Sequence, residues 1–160
     1  MITRYKVEEK TTVPSNPNDE ATVYVSNLFN TVGEAEAYIE KRKTPHPEIV
    51  REYQIIDVIC NYANNSGYSD MHPYEIVSVI SDKTIEIREM DSEELPWKRD
   101  FHEGGFFGHT ANQDKQKWDI KSNEKNQTFK ARLRKDGYFH SNMGKHYIEA
   151  EPRRFHDYNF

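Results

Sequence analysis

Thr128-Phe129-Lys130-Ala131-Arg132-Leu133-Arg134-Lys135-Asp136-Gly137-Tyr138-Phe139 is the stretch on which the fold turns. Phe129, Ala131 and Leu133 alternate with Lys130, Arg132 and Arg134, the period of two expected of a strand with one buried and one wet face. Asp136-Gly137 then supplies the turn into Tyr138-Phe139, because aspartate and glycine tolerate the backbone angles that tight hairpins need. Upstream, Tyr74 to Ile80 and Thr84 to Met90 read as another pair of strands across Ser81-Asp82-Lys83. Ile85 and Ile87 point one way there, Glu86 and Arg88 the other. His146-Tyr147-Ile148 is a further short strand. Four or more short strands with glycine-bearing turns predict a mostly antiparallel all-β module, a small barrel or a curled sheet. Residues 91–118 lose this periodicity yet carry Trp97, Phe101, Phe106, Phe107 and Trp118. They read as a long aromatic loop, which is functional or packs on its own rings.

Ahead of this module the pattern changes. Asn64-Asn65-Ser66-Gly67 is the strongest internal break and separates a module at 1–63 from one at 67–160. In the first, Arg4-Tyr5-Lys6-Val7 and Thr22-Val23-Tyr24-Val25 read as strands, with a turn at Pro14 to Asp19 between them. Thr31 and Glu34 have capping-box spacing, and Val32, Ala35, Tyr38 and Ile39 fall on one helical stripe. Lys41-Arg42-Lys43 suits the negative end of that helix, and Pro45 and Pro47 stop it. Tyr53 to Cys60 is a short, branched run and reads as a buried strand. The whole chain is then α+β, with an N-terminal β-β-α-β module before the all-β one.

Composition narrows the function classes. At 160 residues and 12% aromatic side chains, the chain is one ordinary domain or two small ones and is not a disordered tail. No apolar run approaches the roughly 18 residues of a membrane span, and the N-terminus lacks the pattern of a signal peptide. The expectation is a soluble, cytoplasmic protein with no membrane partner. Cys60 is the single cysteine, which excludes an internal disulfide and a cysteine-cluster zinc site. The net charge of −5 is uneven: −3 over residues 1–63, −6 over 64–103 and +4 over 104–160. Such segregation predicts internal pairing or two electrostatic poles.

Tyr68-Ser69-Asp70-Met71-His72-Pro73-Tyr74, followed by Lys83-Thr84-Ile85, resembles the opening of a family of small uncharacterised proteins of bacteriophages and other bacterial mobile elements. Gly104-Gly105-Phe106-Phe107-Gly108-His109 with Asn112, then Trp118 and the closing Asp157-Tyr158-Asn159-Phe160, resemble its later landmarks. The likeness covers about residues 67–160. No activity is attached to that family, so the resemblance implies a setting and no catalytic residues.

Three constellations could carry function. The first is the acidic block Glu86, Glu89, Asp91, Glu93 and Glu94, ending at Leu95-Pro96-Trp97. An aromatic anchor with an acidic rim suits a basic protein partner, although Trp97 would serve equally as core. The second is the basic strand. Lys130, Arg132 and Arg134 would stand about 6–7 Å apart on one face, close to phosphate spacing, with Trp118 and Tyr138 able to stack on bases. Alternatively these cations only solvate an amphipathic strand. The third is a metal clamp: Asp70 and His72 share a face if extended, and His102 and His109 flank a glycine-rich loop. No His-Glu-x-x-His or Cys-x-x-Cys spacing supports it, and Asp70 would equally cap a turn. No Gly-x-Ser-x-Gly elbow or dinucleotide fingerprint is present, so no catalytic residues and no cofactor are expected. The order of these readings is a non-enzymatic protein-binding factor first, with a phage accessory or anti-host-defence role suggested by the resemblance. A nucleic-acid-binding module at 130–134 comes second, and a metal-dependent enzyme at Asp70 and His72 third. The sequence does not give the oligomeric state.

Overall fold

Antiparallel pairing dominates the computed structural model, which describes residues 1–12, 21–43, 49–104 and 108–159. The turn expected at Pro14 to Asp19, Pro45 and Pro47, Gly105 with Phe106 and Phe107, and Phe160 lie outside these residues. The chain divides into two units, Ile2–Cys60 and Asn61–Phe160.

In the first unit, β1 (Ile2–Thr12), β2 (Thr22–Val25), α1 (Val32–Arg42) and β3 (Val50–Cys60) follow the β-β-α-β order expected. β1 lies between β2 and β3 and is antiparallel to both. β2 and β3 therefore run parallel to one another across β1, and α1 is the crossover between them. Thr31 caps the helix by accepting the Glu34 N–H at 3.2 Å, and the Glu34 carboxylate returns to the Asn30 N–H at 2.8 Å. Glu9 is buried in β1 between the guanidinium groups of Arg42 and Arg51, at 2.7 and 3.3 Å, so its charge is compensated from two elements.

The second unit contains a closed six-stranded barrel. Its strands are β4 (Tyr62–Ser66), β6 (Tyr74–Ser81), β7 (Thr84–Glu89), β12 (Thr128–Leu133), β13 (Phe139–Ser141) and β14 (Gly144–Glu149). Each pairs with the next and β14 returns to β4, so the ring has no free edge. The short β5 (Met71–His72) pairs with β4 on the same edge and in the same register as β6, into which it leads across Pro73. Alternation aims Ile85, Ile87, Ala131, Phe139 and Ile148 inward, where all are buried, and leaves Lys130 and Arg132 outside. Burying each isoleucine contributes about 1.5–3 kcal/mol. Gly137, at φ 81°, sits in the turn that returns β12 to β13, and Gly144, at φ 111°, opens β14 directly after the next turn.

Two expectations are corrected here. Asn64 to Gly67 is no linker: Asn64 and Asn65 are buried in β4, and the division falls at Cys60–Asn61. Asparagine reads as a turn former because its amide competes with the backbone. Here those amides work inside the fold: Asn65 Nδ2 donates to the Met143 and Lys145 carbonyls at 3.1 and 3.0 Å. Residues 91–104 and 108–118 also carry strand pairing where a loop is expected. β8 (Asp91–Glu94) pairs with β11 (Trp118–Lys121), and β9 (Phe101–His102) with β10 (His109–Thr110). These ladders are two to four residues long, too short to show a period.

His146, fully enclosed in the barrel, fixes its own protonation. The Ala63 carbonyl can only accept, so Nδ1 carries the proton at 3.0 Å, and Nε2 accepts the Ser141 hydroxyl at 2.8 Å. The Tyr74 ring meets the imidazole edge-on at 5.2 Å, and His140 is the nearby charge that opposes protonation. Burial first, with that repulsion, holds His146 below its ordinary 6.5. A depressed histidine binds fewer protons folded than unfolded, so its contribution is complete above pH 6.5 and is lost as pH falls towards the folded value. Asp70, Glu94 and Asp136 are held below their ordinary 3.8, 4.5 and 3.8, so their losses come at lower pH. Urea unfolding should therefore show stability declining between about pH 6.5 and 4.5, and a His146→Gln variant should lack that decline. Stability rising on acidification through this window would contradict the neutral assignment.

Candidate functional site

The barrel unit offers two faces to consider, one basic and one aromatic and acidic. On the outside of β12, Lys130 and Arg132 are exposed, and Arg134 continues the row. None of the three is in an ion pair among the described residues, and the nearest carboxylates are engaged elsewhere. Glu86, opposite Lys130, accepts from Ser78 and Thr128 at 3.1 and 3.0 Å. Asp136 accepts the Tyr138 N–H at 3.2 Å and faces His140 at 2.9 Å, and that contact with His140 holds its carboxyl below the usual range. Tyr138 and Tyr147 extend this face with ring centres 5.2 Å apart, and the Lys145 ammonium lies 3.4 Å from the Tyr138 centre.

The second face is organised by the C-terminal segment, which straps the unit. Met71 and Phe155 exchange two backbone hydrogen bonds, at 2.9 and 3.1 Å. Asn64 Oδ1 accepts the Arg153 N–H at 2.9 Å, and Asn159 Oδ1 accepts the Thr110 N–H at 2.8 Å. Asp70 accepts the Asp157 N–H at 2.8 Å and faces His156 at 3.1 Å. Burial raises Asp70, but the Asp157 amide and His156 outweigh it and hold the carboxyl below its usual range. Glu94 accepts the indole N–H of Trp97 at 2.5 Å and the hydroxyl of Tyr158, while Arg99 donates to its other oxygen at 3.2 Å. Those bonds from Trp97 and Tyr158 depress the Glu94 carboxyl, and burial with the Glu94 charge raises the Tyr158 phenol.

The expected protein-binding residues are thus placed unevenly. Trp97 is half-buried against Tyr158, with ring centres 5.9 Å apart. Asp91 accepts from Asn123 and Asn126 at 2.7 and 2.9 Å, and Glu89 raises the Tyr74 phenol, whose burial pushes it up to about 12. Glu93 stands exposed opposite Asp119. Of the nucleic-acid set, Lys130, Arg132, Arg134 and Tyr138 share the β12–β13 region. Trp118 does not join them: its indole donates to Gln116 at 3.2 Å and its ring lies 5.1 Å from the Arg154 guanidinium. The metal set separates as well. Asp70 faces His156, His72 lies 3.6 Å from Glu89, and His102 pairs across the ladder with His109. Among the described residues no three of His, Cys, Asp or Glu gather into a metal-binding group. Asp70 and His72 are not brought to one site because Asp70 precedes β5 and is taken up by the strap.

The sequence reading missed the strap residues Gln116, His156 and Tyr158. Gln116 exchanges hydrogen bonds with the His156 backbone at 2.6 and 3.0 Å, and only the aromatic ending of the chain hinted at such an anchor. Ser141 and His146 form a hydroxyl–imidazole pair of the kind that activates a nucleophile. With the imidazole wholly enclosed and the Ser141 oxygen also accepting Met143 N–H at 3.0 Å, the pair is a latch on the hairpin. No known protein family matches the chain, and no curated protein and no solved structure is similar to it. Among the described residues no helix is long and apolar enough to cross a membrane.

The strap makes Asp70 and His72 unequal. Asp70→Ala leaves the Asp157 amide without its acceptor and should cost about 1–2 kcal/mol in urea unfolding. His72→Ala, removing a side chain 38% exposed and 3.6 Å from its partner, should stay within about 0.5 kcal/mol. Equal losses from the two would refute the strap as the role of Asp70.

Proposed function

We propose that the barrel unit binds nucleic acid along the outer face of β12 and its hairpin to β13. The observation that carries this reading is the row Lys130, Arg132 and Arg134, exposed and, among the described residues, without ion pairs, beside carboxylates that are already hydrogen-bonded. Strand geometry spaces alternate side chains by about 6–7 Å, which suits successive phosphates. Tyr138 and Tyr147 beside Lys145 add ring surface of the kind on which bases stack. The protein-docking reading that the sequence puts first has less free surface to offer, because Asp91 is taken up by Asn123 and Asn126 while Glu94 and Trp97 are occupied by Arg99. The resemblance to proteins of mobile elements supplies a setting in which a small cytoplasmic accessory factor acts at DNA or RNA, including in interference with a host system.

The unit carries 15 Lys/Arg against 17 Asp/Glu, so binding rests on a local patch and is strongly salt-dependent. Fluorescence anisotropy with labelled oligonucleotides should give a log–log salt dependence that flattens by about 2–3 units in the Lys130→Ala, Arg132→Ala, Arg134→Ala triple variant. An unchanged slope and affinity in that variant, or no binding by the wild type at low salt, would overturn the proposal.

A further inference from the structure

The cluster at Trp97 has the composition of a cation receptor, and it is already filled. The Arg99 guanidinium carbon lies 3.8 Å from the centre of the Tyr158 ring and 5.7 Å from that of Trp97. The two rings are tilted by 53°, so they form two walls around it. Glu94 closes the third side. One of its oxygens is oriented by the Trp97 indole and the Tyr158 hydroxyl, and the other takes the Arg99 N–H at 3.2 Å. Two aromatic faces and a fixed carboxylate are the parts from which proteins build sites for guanidinium and ammonium groups.

Among the described residues of this unit Arg99 and Arg154 stack on rings, and Arg99 is held by side chains alone. Arg154, over Trp118, is tied as well by a hydrogen bond to the Met71 carbonyl at 2.9 Å. Among the described residues Arg99 is hydrogen-bonded to the side chains of Glu94 and Tyr158, and its own side chain is 46% exposed. It follows Pro96 in the exposed run Lys98 to Asp100. Glu93, one residue before the pocket carboxylate, is exposed and adds a field that draws cations.

We propose that Trp97, Tyr158 and Glu94 form a receptor for an arginine side chain of a protein partner, occupied in the isolated chain by Arg99. Arg99 defines the ligand chemistry, a planar guanidinium that stacks on Tyr158 while donating to Glu94. It also acts as a built-in competitor: a partner's arginine binds only the fraction of molecules in which Arg99 has swung out, so the apparent affinity is reduced by that fraction. This site is separate from the basic residues of β12 and does not depend on the nucleic-acid reading.

The test uses the full chain labelled with nitrogen-15 and follows its two indole N–H signals while a short capped arginine peptide is added. Wild type should respond weakly. Arg99→Ala should bind about tenfold more tightly or better, with the Trp97 signal moving and the Trp118 signal still. A lysine peptide should bind less well, lacking the planar fork. The Lys130, Arg132, Arg134 triple variant should behave as wild type here. The resting Trp118 signal reports whether the strap remains seated, since Trp118 and His156 share Gln116. Should Arg99→Ala disturb it, Arg99→Gln gives the same reading with the side-chain stem retained. No gain in peptide binding by either variant, or a gain without movement of the Trp97 signal, would overturn the proposal.

Discussion

Closure of the barrel by β14 on β4 is the constraint on which the rest of the second unit depends. Without it both strands would present unpaired backbone at an edge, which proteins must cover or blunt. The closing pair is unusually polar. Asn65 and His146 stand opposite one another, each bonding the other strand's backbone from inside the ring. Polar groups in a low-dielectric interior are costly unless all are satisfied, and here they are. The same chemistry that makes the seam specific makes it sensitive to protonation at His146. Because closure fixes the direction of every strand, it also decides which side chains of β12 face water.

Closure has a second consequence at Asn64, which points out of the ring yet is buried. Its amide donates to the Glu151 carbonyl and its oxygen accepts Arg153 N–H, so the outer surface of the seam starts the strap. From there the chain is held successively by Met71, Asp70, Gln113 and Thr110. The charge map of the sequence takes a particular form as a result. Glu75 of the acidic middle pairs with Arg88, but several of its other carboxylates take neutral donors within the unit. Asp91 takes asparagines, Glu94 takes an indole and a phenol, and Glu86 takes two hydroxyls. Among the described residues no ion pair reaches Lys130, Arg132 or Arg134, so part of the +4 end stays unmatched on β12.

Much of this fold is legible in the sequence where periodicity is strong. β2 coincides with Thr22–Val25, α1 starts where Thr31 and Glu34 cap it, and the Ile85/Ile87 and Phe129/Ala131/Leu133 alternations orient β7 and β12 correctly. What failed to show has physical causes. Asn64 and Asn65 look like loop residues because asparagine serves turns, and only partners some 80 residues away turn them into core. Likewise Tyr158 and Gln116 acquire roles only through contacts across the unit, which no local pattern encodes. The Trp97 reading was half legible: an aromatic anchor beside carboxylates is visible in the sequence, whereas its occupation by Arg99 is not.

The two surfaces differ in what electrostatics can do for each. Cations about 6–7 Å apart on β12 lie within the Debye length of roughly 8 Å at physiological ionic strength, so an approaching phosphate feels them together. The net charge of the unit acts over longer distances and is largely screened there. A small basic row can therefore act on a protein whose overall sign is wrong for the ligand, at the cost of strong salt sensitivity. The Trp97 pocket works by contact, with rings and a carboxylate enclosing one planar cation, and is less exposed to screening. An open row suits a repeating polyanion, and an occupied pocket suits a single side chain delivered in the right orientation. The barrel wall carries the first, and the strap that crosses it builds the second.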